Sequence, residues 1–422
     1  MLDIKFIREN PDKIKKAAQS RSYEVDIEKL LQSDKQRRDL ILKIDQAKAE
    51  QNKVSKQIKE LPNSEKESVM RRMKELKQNL KSWEEELKRI SQSLNAILRD
   101  IPNVPLDQVP VGKDGSENKV LRTVGSPTKF DFKPKDHVAL GQSLDIIDVE
   151  RAGKVSGSRF AYLKNEAVLL QFALVHWAMD ILLKQGFSPM LPPVMVKGDT
   201  MDAMGFLQHG GADETYHFEK DDLYLVGTSE QSGLPYHRGE ILAEQDLPWR
   251  YVCYSTCFRR EAGSYGKDVR GILRVHQFDK LEMISIATSE KSRAEHEFLL
   301  SLEEKMLQDL KLPYRAVQLC TGDLNDSSAT TIDLETWIPT QNQYRETHSA
   351  SNCTDFQARR LNMRYKTKSG NEFCHTLNAT AFAMGRTLIA ILENYQQKDG
   401  SVEIPKVLRK YAGIKKIVPK GR

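Results

Sequence analysis

Cysteine is scarce in this chain, and its placement excludes most covalent roles. The five residues, Cys253, Cys257, Cys320, Cys353 and Cys374, contain no C-x-x-C pair. An odd, scattered set does not make a disulfide framework. Cys253 and Cys257 stand four apart in a strand-like stretch and share a face, but reduced core thiols are a better reading than a metal site. No unbroken apolar run approaches the roughly 18 residues of a membrane span, so no membrane partner is expected. The opening stretch MLDIKFIRENPDKIKKAAQ lacks the apolar core of a secretory signal, and its Asp3, Glu9 and Asp12 are foreign to organelle transit peptides. A cytoplasmic location follows by default. Internal repeats and low-complexity tracts are also missing. Neither sign of charge dominates: 65 basic against 59 acidic residues give a net +6, which does not by itself require a nucleic-acid partner.

What is present is length and charge. A chain of 422 residues, 39% hydrophobic and 29% charged, buries a sizeable core in two or three domains. Residues 27–101 differ from the rest. Val69, Met73, Leu76, Leu80, Trp83, Leu87, Ile90, Leu94, Ile97 and Ile101 follow alternating steps of four and three, the spacing of a coiled-coil seam. Leu40, Ile44, Ala47, Gln51, Val54, Ile58 and Leu61 make an earlier seam with one polar interruption. Pro62-Asn63-Ser64 separates the two, and Ser64 with Glu67 forms a capping box. An antiparallel helical hairpin is expected, reaching roughly 50 Å or more. Residues 43–77 carry ten Lys/Arg and six Asp/Glu, a local +4. A basic outer half suits a phosphate backbone, although an assembly coiled coil or a solvated arm has the same look.

Residues 102–119, PNVPLDQVPVGKDGSENK, read as a linker. The expected division is an N-terminal domain over 1–105, a linker over 106–119 and a second domain over 120–422. In that second domain strand-like alternation mixes with helical segments. A helix is expected over 168–184. An extended run, GFSPMLPPVMV, follows it, where Pro192 and Pro193 bar a helix and discourage a central strand. Strands are expected over 223–226 and 251–259, and a helix over 386–396. The fold class is therefore α+β around an antiparallel sheet.

The most informative segment is FRREAGSYGKDVRGILRVHQFDKLEM, residues 258–283. It reads as two strands joined by a long Gly-containing loop. On the second strand, residues of like parity share a face, so Arg274, Phe278 and Glu282 point the same way. A cation, an aromatic plate and a carboxylate suit a triphosphate, a purine and a small ammonium-bearing substrate. The segment resembles the second signature motif of class II aminoacyl-tRNA synthetases, and within them the seryl-tRNA synthetases. The resemblance covers nearly the whole chain. The hairpin is similar in position and length to the family's tRNA-binding arm. GFSPMLPPV resembles the dimer-forming first motif. GTSE at 227–230 resembles the T-x-E substrate loop. CFRREAG resembles the start of the second motif. RETHSASNCTDFQARR resembles E-x-x-S-x-S-N-C-x-D-F-Q-A-R-R, and HTLNATAFAMGRTLIAILENYQ resembles the third motif.

That resemblance implies a set of roles. Activation of a carboxylic acid by ATP needs positive charge at the α-phosphate, metal on the leaving pyrophosphate and reactants held in line. Arg259 and Arg386 would supply the charge, because a planar guanidinium grips phosphate and carboxylate through two bonds. Thr228, Ser229, Glu230, Glu282, Asn378 and Thr380, with Arg259, would form the serine pocket, Thr380 completing the readout of the hydroxyl. Arg260, Glu261, Arg274, Val275 and Phe278 would contact ATP, with Phe278 stacked on adenine. Glu346, Thr347, His348 and Ser349 would lie against the same nucleotide. Of these, Glu346 and Ser349 would hold Mg2+ through hard oxygens, and His348 would be a local hydrogen-bonding residue rather than a catalytic base. Arg71, Arg72 and Lys74 on the arm would meet tRNA(Ser), with tRNA(Sec) left open as a second acceptor. The implied enzyme is a homodimer that joins serine to tRNA at the expense of ATP.

The chain departs from the family pattern in several places. Arg260 replaces the common Ser of F-R-S-E-A-G, and Thr330 stands where Lys is common. QSGLPYH replaces a V-P-L run, and Ala379 and Phe382 replace frequent Gly and Leu. Two rival readings are a paralogue that loads an amino acid onto a carrier protein, and a non-catalytic RNA-binding protein. The basic arm speaks against the first. The presence of Arg259, Glu346, Ser349 and Arg386 speaks against the second.

Overall fold

The structure is a computed structural model describing residues 1–58, 62–263, 266, 268 and 270–420. Its internal contacts divide it into two units, Met1–Pro102 and Asn103–Arg422.

The smaller unit is helical: α1 (Ile4–Glu9), α2 (Pro11–Ser20), α3 (Ile27–Gln57) and α4 (Asn63–Asp100). Asp3 and Asp26 cap α1 and α3 by accepting from the backbone N–H of Lys5 and Lys29 at 2.6 and 2.9 Å. The seam packs as its spacing requires. Leu40, Ile44, Ala47 and Leu80 are buried, with Leu76, Trp83, Leu87 and Ile90 against them. The Lys43 ammonium sits 4.0 Å from the Trp83 ring centre, Lys48 pairs with Glu84 at 2.7 Å, and Arg72 pairs with Glu50. Toward the turn the seam thins, and Gln51, Val54, Ile58, Val69 and Met73 are only half-buried; Leu61 lies outside the described residues. Helix α4 has 38 residues, which is about 57 Å at 1.5 Å each. The expected Ser64–Glu67 capping box is corrected. The helix starts at Asn63 with Pro62 at its cap and no side-chain cap bond. Proline's fixed φ and missing N–H suit that entry, and Ser64 falls inside the first turn. At the other end, buried Asp34 meets Arg8, Arg37 and Arg38 at 3.3, 3.4 and 3.1 Å, so its charge is compensated threefold.

The larger unit is built on one eight-stranded sheet. Its strands are β1 (Lys119–Val124), β2 (Ser188–Met190), β3 (Trp249–Phe258), β4 (Gln277–Ala287), β5 (Tyr314–Gln318), β6 (Thr330–Ile338), β7 (Gln343–Asn352) and β8 (His375–Ala383). The order is β1-β5-β6-β7-β8-β4-β3-β2. Every pairing is antiparallel except β2 on β3. Helices α5 (His137–Ser143), α6 (Glu166–Lys184), α7 (Ser292–Asp309) and α8 (Met384–Asn394) complete the frame. Alternation divides the strand residues. Leu281, Met283, Leu377, Ala379 and Ala381 join the core with Leu299, Leu302 and Leu388 from the helices. Phe278, Lys280, Glu282, Asn378 and Thr380 are left for the other face, where they line a cavity.

Two expectations change. Residues 106–119 are not slack chain. Leu106 N–H donates to Ala329 O at 2.8 Å, the carbonyls of Pro110 and Gly112 accept from Thr321 and Gly322 at 2.9 Å, and Val109 packs on Leu319 and Leu324. Helix α6 also corrects the reading that nothing is long and apolar enough for a span. It has 19 residues and is long and apolar enough for a span by length and composition, with about half of it buried inside the protein. One side feeds the core through Leu170, Leu174, Trp177 and Ala178; Leu169, Phe172 and Leu183 on the other are exposed. The proline-bearing run that follows behaves as read. Strand β2 is an edge strand ending at Met190, and Leu191 just beyond it is 78% exposed.

Candidate active site

The exposed face of β4, β6, β7 and β8 forms the floor of a cavity of about 310 Å³. Two irregularities in the sheet shape it. On β7, Glu346 and Ser349 differ in parity, so a regular strand would turn them to opposite faces. The β6–β7 register shifts here: Leu334 opposes His348, and Glu335 opposes Glu346. Thr347 is the extra residue of a bulge, and the bulge brings Glu346 and Ser349 to the same cavity. On β8 the register with β4 shifts likewise, from Leu281 opposite Phe382 to Glu282 opposite Thr380. Ala381 is the extra residue, and Thr380 is left directly across from Glu282.

One end of the cavity is polar and deeply buried. Glu282 is 1% exposed. It pairs with Lys280 at 2.6 Å and accepts from the Thr380 hydroxyl at 3.4 Å. Glu230, also buried, accepts from the Gln357 amide at 2.7 Å, and Gln357 in turn accepts from the Thr376 hydroxyl at 2.7 Å. Burial pushes the Glu230 carboxyl up to about 7; the Gln357 bond opposes this and the nearby Glu282 adds to it. Thr228 and Asn378 close the same end.

The other end is a slot between an arginine-bearing loop and a helix start. Arg259 follows β3. Its Nε donates to Gly227 O at 3.2 Å, and its guanidinium lies 5.3 Å from the Phe278 ring centre. Arg274 donates to Glu261 at 2.7 Å. Arg386, in the first turn of α8, donates to the Glu346 carboxylate at 3.0 Å and to the Glu346 carbonyl at 3.1 Å. Burial works against the Glu346 charge, but Arg386 and Arg259 outweigh it and hold the carboxyl below its ordinary range. Asp333 opposes Ser349 across the strands. Its Oδ1 is buried without a hydrogen-bond partner, and burial together with Glu346 raises its carboxyl well above the usual value.

Of the residues expected from sequence, Thr228, Glu230, Arg259, Glu261, Arg274, Val275, Phe278, Glu282, Glu346, Thr347, Ser349, Asn378, Thr380 and Arg386 all line this one cavity. Three are corrected. Ser229 is fully buried, and its hydroxyl donates to Cys253 O at 3.3 Å. Arg260 turns outward, with its guanidinium 5.7 Å from the Tyr216 ring centre. His348 leaves the nucleotide wall and points through the sheet into the core, edge-on to Phe382 at 5.5 Å. Its Nδ1 meets the Thr347 hydroxyl at 2.8 Å, the local hydrogen-bonding role expected of it, and burial lowers its pKa to about 3. Thr347 reaches the wall, but its hydroxyl bonds the Thr336 hydroxyl at 2.7 Å. Lys280 and Asp333 line the cavity without having been anticipated. The parity rule that selected Phe278 and Glu282 also selects Lys280, which lies between them. Asp333 carried no local signal, because its place depends on pairing with β7.

The donor set fits a hard cation. Among the described residues no cluster of three His, Cys, Asp or Glu suits a metal. Glu346, Ser349 and the unpartnered Asp333 oxygen nonetheless present carboxylate and hydroxyl groups on one wall, the ligand type magnesium takes when phosphates and water complete its shell.

Comparison with known proteins points one way. Residues 1–105 match the family model of the seryl-tRNA synthetase N-terminal domain. Residues 215–395 match the class II tRNA synthetase core domain of the G, H, P, S and T group. A serine–tRNA ligase of Thermodesulfovibrio yellowstonii is 45% identical over 98% of this chain and 99% of its own length. The crystal structure of seryl-tRNA synthetase from Pyrococcus horikoshii complexed with ATP superposes with a TM-score of 0.93 at 38% identity, covering 100% of both chains. A cytoplasmic serine–tRNA ligase of Naegleria fowleri in complex with AMP gives 0.89 at 34% identity, over 100% of this chain and 99% of that one.

Proposed function

The chain belongs to the seryl-tRNA synthetase family, and on that premise we propose that it activates L-serine with ATP and transfers the seryl group to the 3′ end of tRNA(Ser). The observation that carries this reading is the layout of the cavity. A buried polar end of Glu230, Lys280, Glu282 and Thr380 adjoins a slot made by Arg259, Phe278 and Arg386. The first end fits a small amino acid with an ammonium and a hydroxyl, the second a nucleotide.

The chemistry follows from the placement. Glu230 and Thr228 hold the serine ammonium. Glu282 and Thr380 meet its hydroxyl, with Asn378 beside them. A site whose own polar groups are satisfied only by a hydroxyl rejects alanine strongly. Adenine stacks on Phe278, with Arg386 on the far side, the Val275 backbone at its edge and Glu261 bracing the loop. Arg259 spans the serine carboxylate and the α-phosphate, where its fork binds both as charge develops between them. The carboxylate attacks in line and pyrophosphate leaves. The ribose hydroxyl of the tRNA then attacks the mixed anhydride and AMP departs, so no protein nucleophile is needed. Glu346 and Ser349 would hold Mg2+ with Asp333 alongside, and the ion would supply charge neutralisation for the departing pyrophosphate. tRNA is held by the basic outer half of the hairpin, where Arg71, Arg72 and Lys74 are exposed. A tRNA(Sec) that presents the same backbone to the arm would be charged by the same steps. With ATP and tRNA as substrates, the reading places the protein in the cytoplasm. Serine-dependent ATP–pyrophosphate exchange tests the assignment.

The buried carboxyl at Glu230 gives the reading a pH signature. With its pKa raised to about 7, the group is neutral below that pH and attracts the serine ammonium poorly. The KM for serine should fall as pH rises from 6 to 8, and Glu230→Gln should flatten the profile and raise KM. A profile that is flat in the unmodified protein would contradict the role. The effect on stability has the opposite sign. The unfolded chain releases this proton near 4.5 and the folded chain near 7, so the folded state holds more protons across that window and rising pH weakens it.

Assembly as a homodimer rests on exposed apolar side chains of α6 and of the run that follows it. Leu169, Phe172 and Leu183 of α6 and Leu191 beyond β2 are 45–78% exposed, a pattern that a two-fold contact would bury. Sedimentation at micromolar protein should give about twice 48.2 kDa. A fully active 48.2 kDa species would contradict the dimer.

A further inference from the structure

The slot that takes the nucleotide is bounded on one side by residues 272–275, a stretch outside the regular strands whose Ile272, Leu273, Arg274 and Val275 all line the cavity. What holds this wall in place lies behind it. Glu393, the penultimate residue of α8, is fully buried and has a partner for each of its lone pairs. One oxygen accepts from the His137 backbone N–H at 3.0 Å and meets the His137 Nδ1 at 3.1 Å. The other accepts from the Thr340 N–H at 3.2 Å and the Thr340 hydroxyl at 2.6 Å. A carboxylate facing Nδ1 makes that nitrogen the donor, so Nε2 is left as an acceptor. The Ile272 N–H donates to it at 3.4 Å.

Two glycines show how closely the parts approach. Gly271 has φ +79°, and a Cβ there would lie 2.0 Å from the His137 Nε2. Both the left-handed backbone and the contact exclude a side chain. A Cβ at Gly385 would come 2.9 Å from the Ile272 carbonyl, so the same wall also rests on the turn of α8 that carries Arg386. The main chain at 271–272 is clasped between a buried imidazole and a helix start.

We propose that Glu393 and His137 are positioning residues for ATP: the carboxylate fixes the imidazole, and the imidazole pins the Ile272 backbone so that Arg274 and Val275 face the nucleotide. The serine end of the cavity does not depend on this strut. The proposal rests on the reading of the slot as the ATP site and adds the device that holds it open.

The two ring nitrogens can be separated. His137→Asn keeps a donor for Glu393 and has nothing to reach Ile272. His137→Gln places an acceptor near the Nε2 position. Calorimetry with ATP and, separately, with serine reads each end of the cavity without requiring turnover. The expected result is an ATP Kd raised roughly tenfold in His137→Asn, the scale of one lost buried hydrogen bond. Serine binding should stay within about twofold, and His137→Gln should recover most of the loss. Gly271→Ala, whose methyl would lie 2.0 Å from Nε2 and so must displace the ring from the Ile272 N–H, should weaken ATP to a similar degree and serves if His137→Asn does not fold. An unchanged ATP Kd in a folded variant, or equal losses for ATP and serine, would overturn the strut. An unmodified protein that binds ATP in this way but shows no serine-dependent exchange would instead overturn the proposed reaction and leave the strut standing.

Discussion

Replacing Arg259 or Arg386 by alanine is expected to lower serine-dependent ATP–pyrophosphate exchange by at least about a hundredfold, the scale of losing one charge partner of the transition state. The two residues reach the slot from different supports. Arg259 hangs from the end of β3, steadied by the Gly227 carbonyl and the Phe278 ring. Arg386 projects from the start of α8 and is paired with Glu346. Loss of Arg386 has a second effect, because Glu346 then keeps its charge beside Asp333 with less compensation. Lysine should not restore Arg259, since a point charge cannot bridge a carboxylate and a phosphate as a planar fork does. Arg259→Ala keeps the strand end that carries it, so its thermal melting should change little; Arg386→Ala strips Glu346 of its partner and should melt lower while remaining folded. A folded Arg259→Ala or Arg386→Ala protein that exchanges at a near-normal rate would remove that residue from the mechanism.

Shortening the arm is expected to separate the two half-reactions. Removing residues 48–77 and closing the gap with a short glycine-rich turn leaves Leu40, Ile44, Ala47 and Leu80 in contact, the packed part of the seam. It takes away the half-buried outer portion together with Arg71, Arg72 and Lys74. Pyrophosphate exchange should survive within about threefold, because the active site lies in a unit of its own. Charging of tRNA should fall by at least about a hundredfold as the phosphate contacts are lost. Reversing the three cations to glutamate should act in the same direction more gently. It should also make the salt dependence of tRNA affinity shallower by roughly two to three units of log–log slope. If exchange and charging fall together, the hairpin serves stability alone. If charging persists, the arm does not hold RNA.

The sequence was most legible where local periodicity decides the structure. Alternating steps of four and three located the hairpin, and strand parity put Phe278 and Glu282 on one face; parity does not apply to Arg274, which precedes the strand start at Gln277 and reaches the cavity from the loop. The failures have physical causes. Four consecutive residues, 346–349, were assigned to one ligand, yet neighbours on a strand face opposite ways, and His348 accordingly ends in the core beside Phe382. Glu346 and Ser349 share the cavity only because of the bulge at Thr347, a register shift set by the partner strand and not written in the spacing. Asp333 depends on the same pairing. Residues 106–119 look like slack chain by composition, but their backbone groups find partners more than 200 residues away, at Thr321 and Ala329. Ser229 and Arg260 sit beside functional residues in the text and turn elsewhere, since a motif fixes the neighbourhood of a side chain and not its direction. The strut from Glu393 through His137 to Ile272 joins three distant stretches and had no sequence signal at all.

The central claim is that this cavity activates serine for transfer to tRNA. The most direct test is ATP–pyrophosphate exchange by the purified protein with serine, alanine and threonine as separate substrates and Mg2+ present. The account predicts exchange that depends on serine and exceeds the alanine rate by at least about a hundredfold, because Glu282 and Thr380 lose a partner when the hydroxyl is missing. No exchange with serine, or equal rates with serine and alanine, would contradict it.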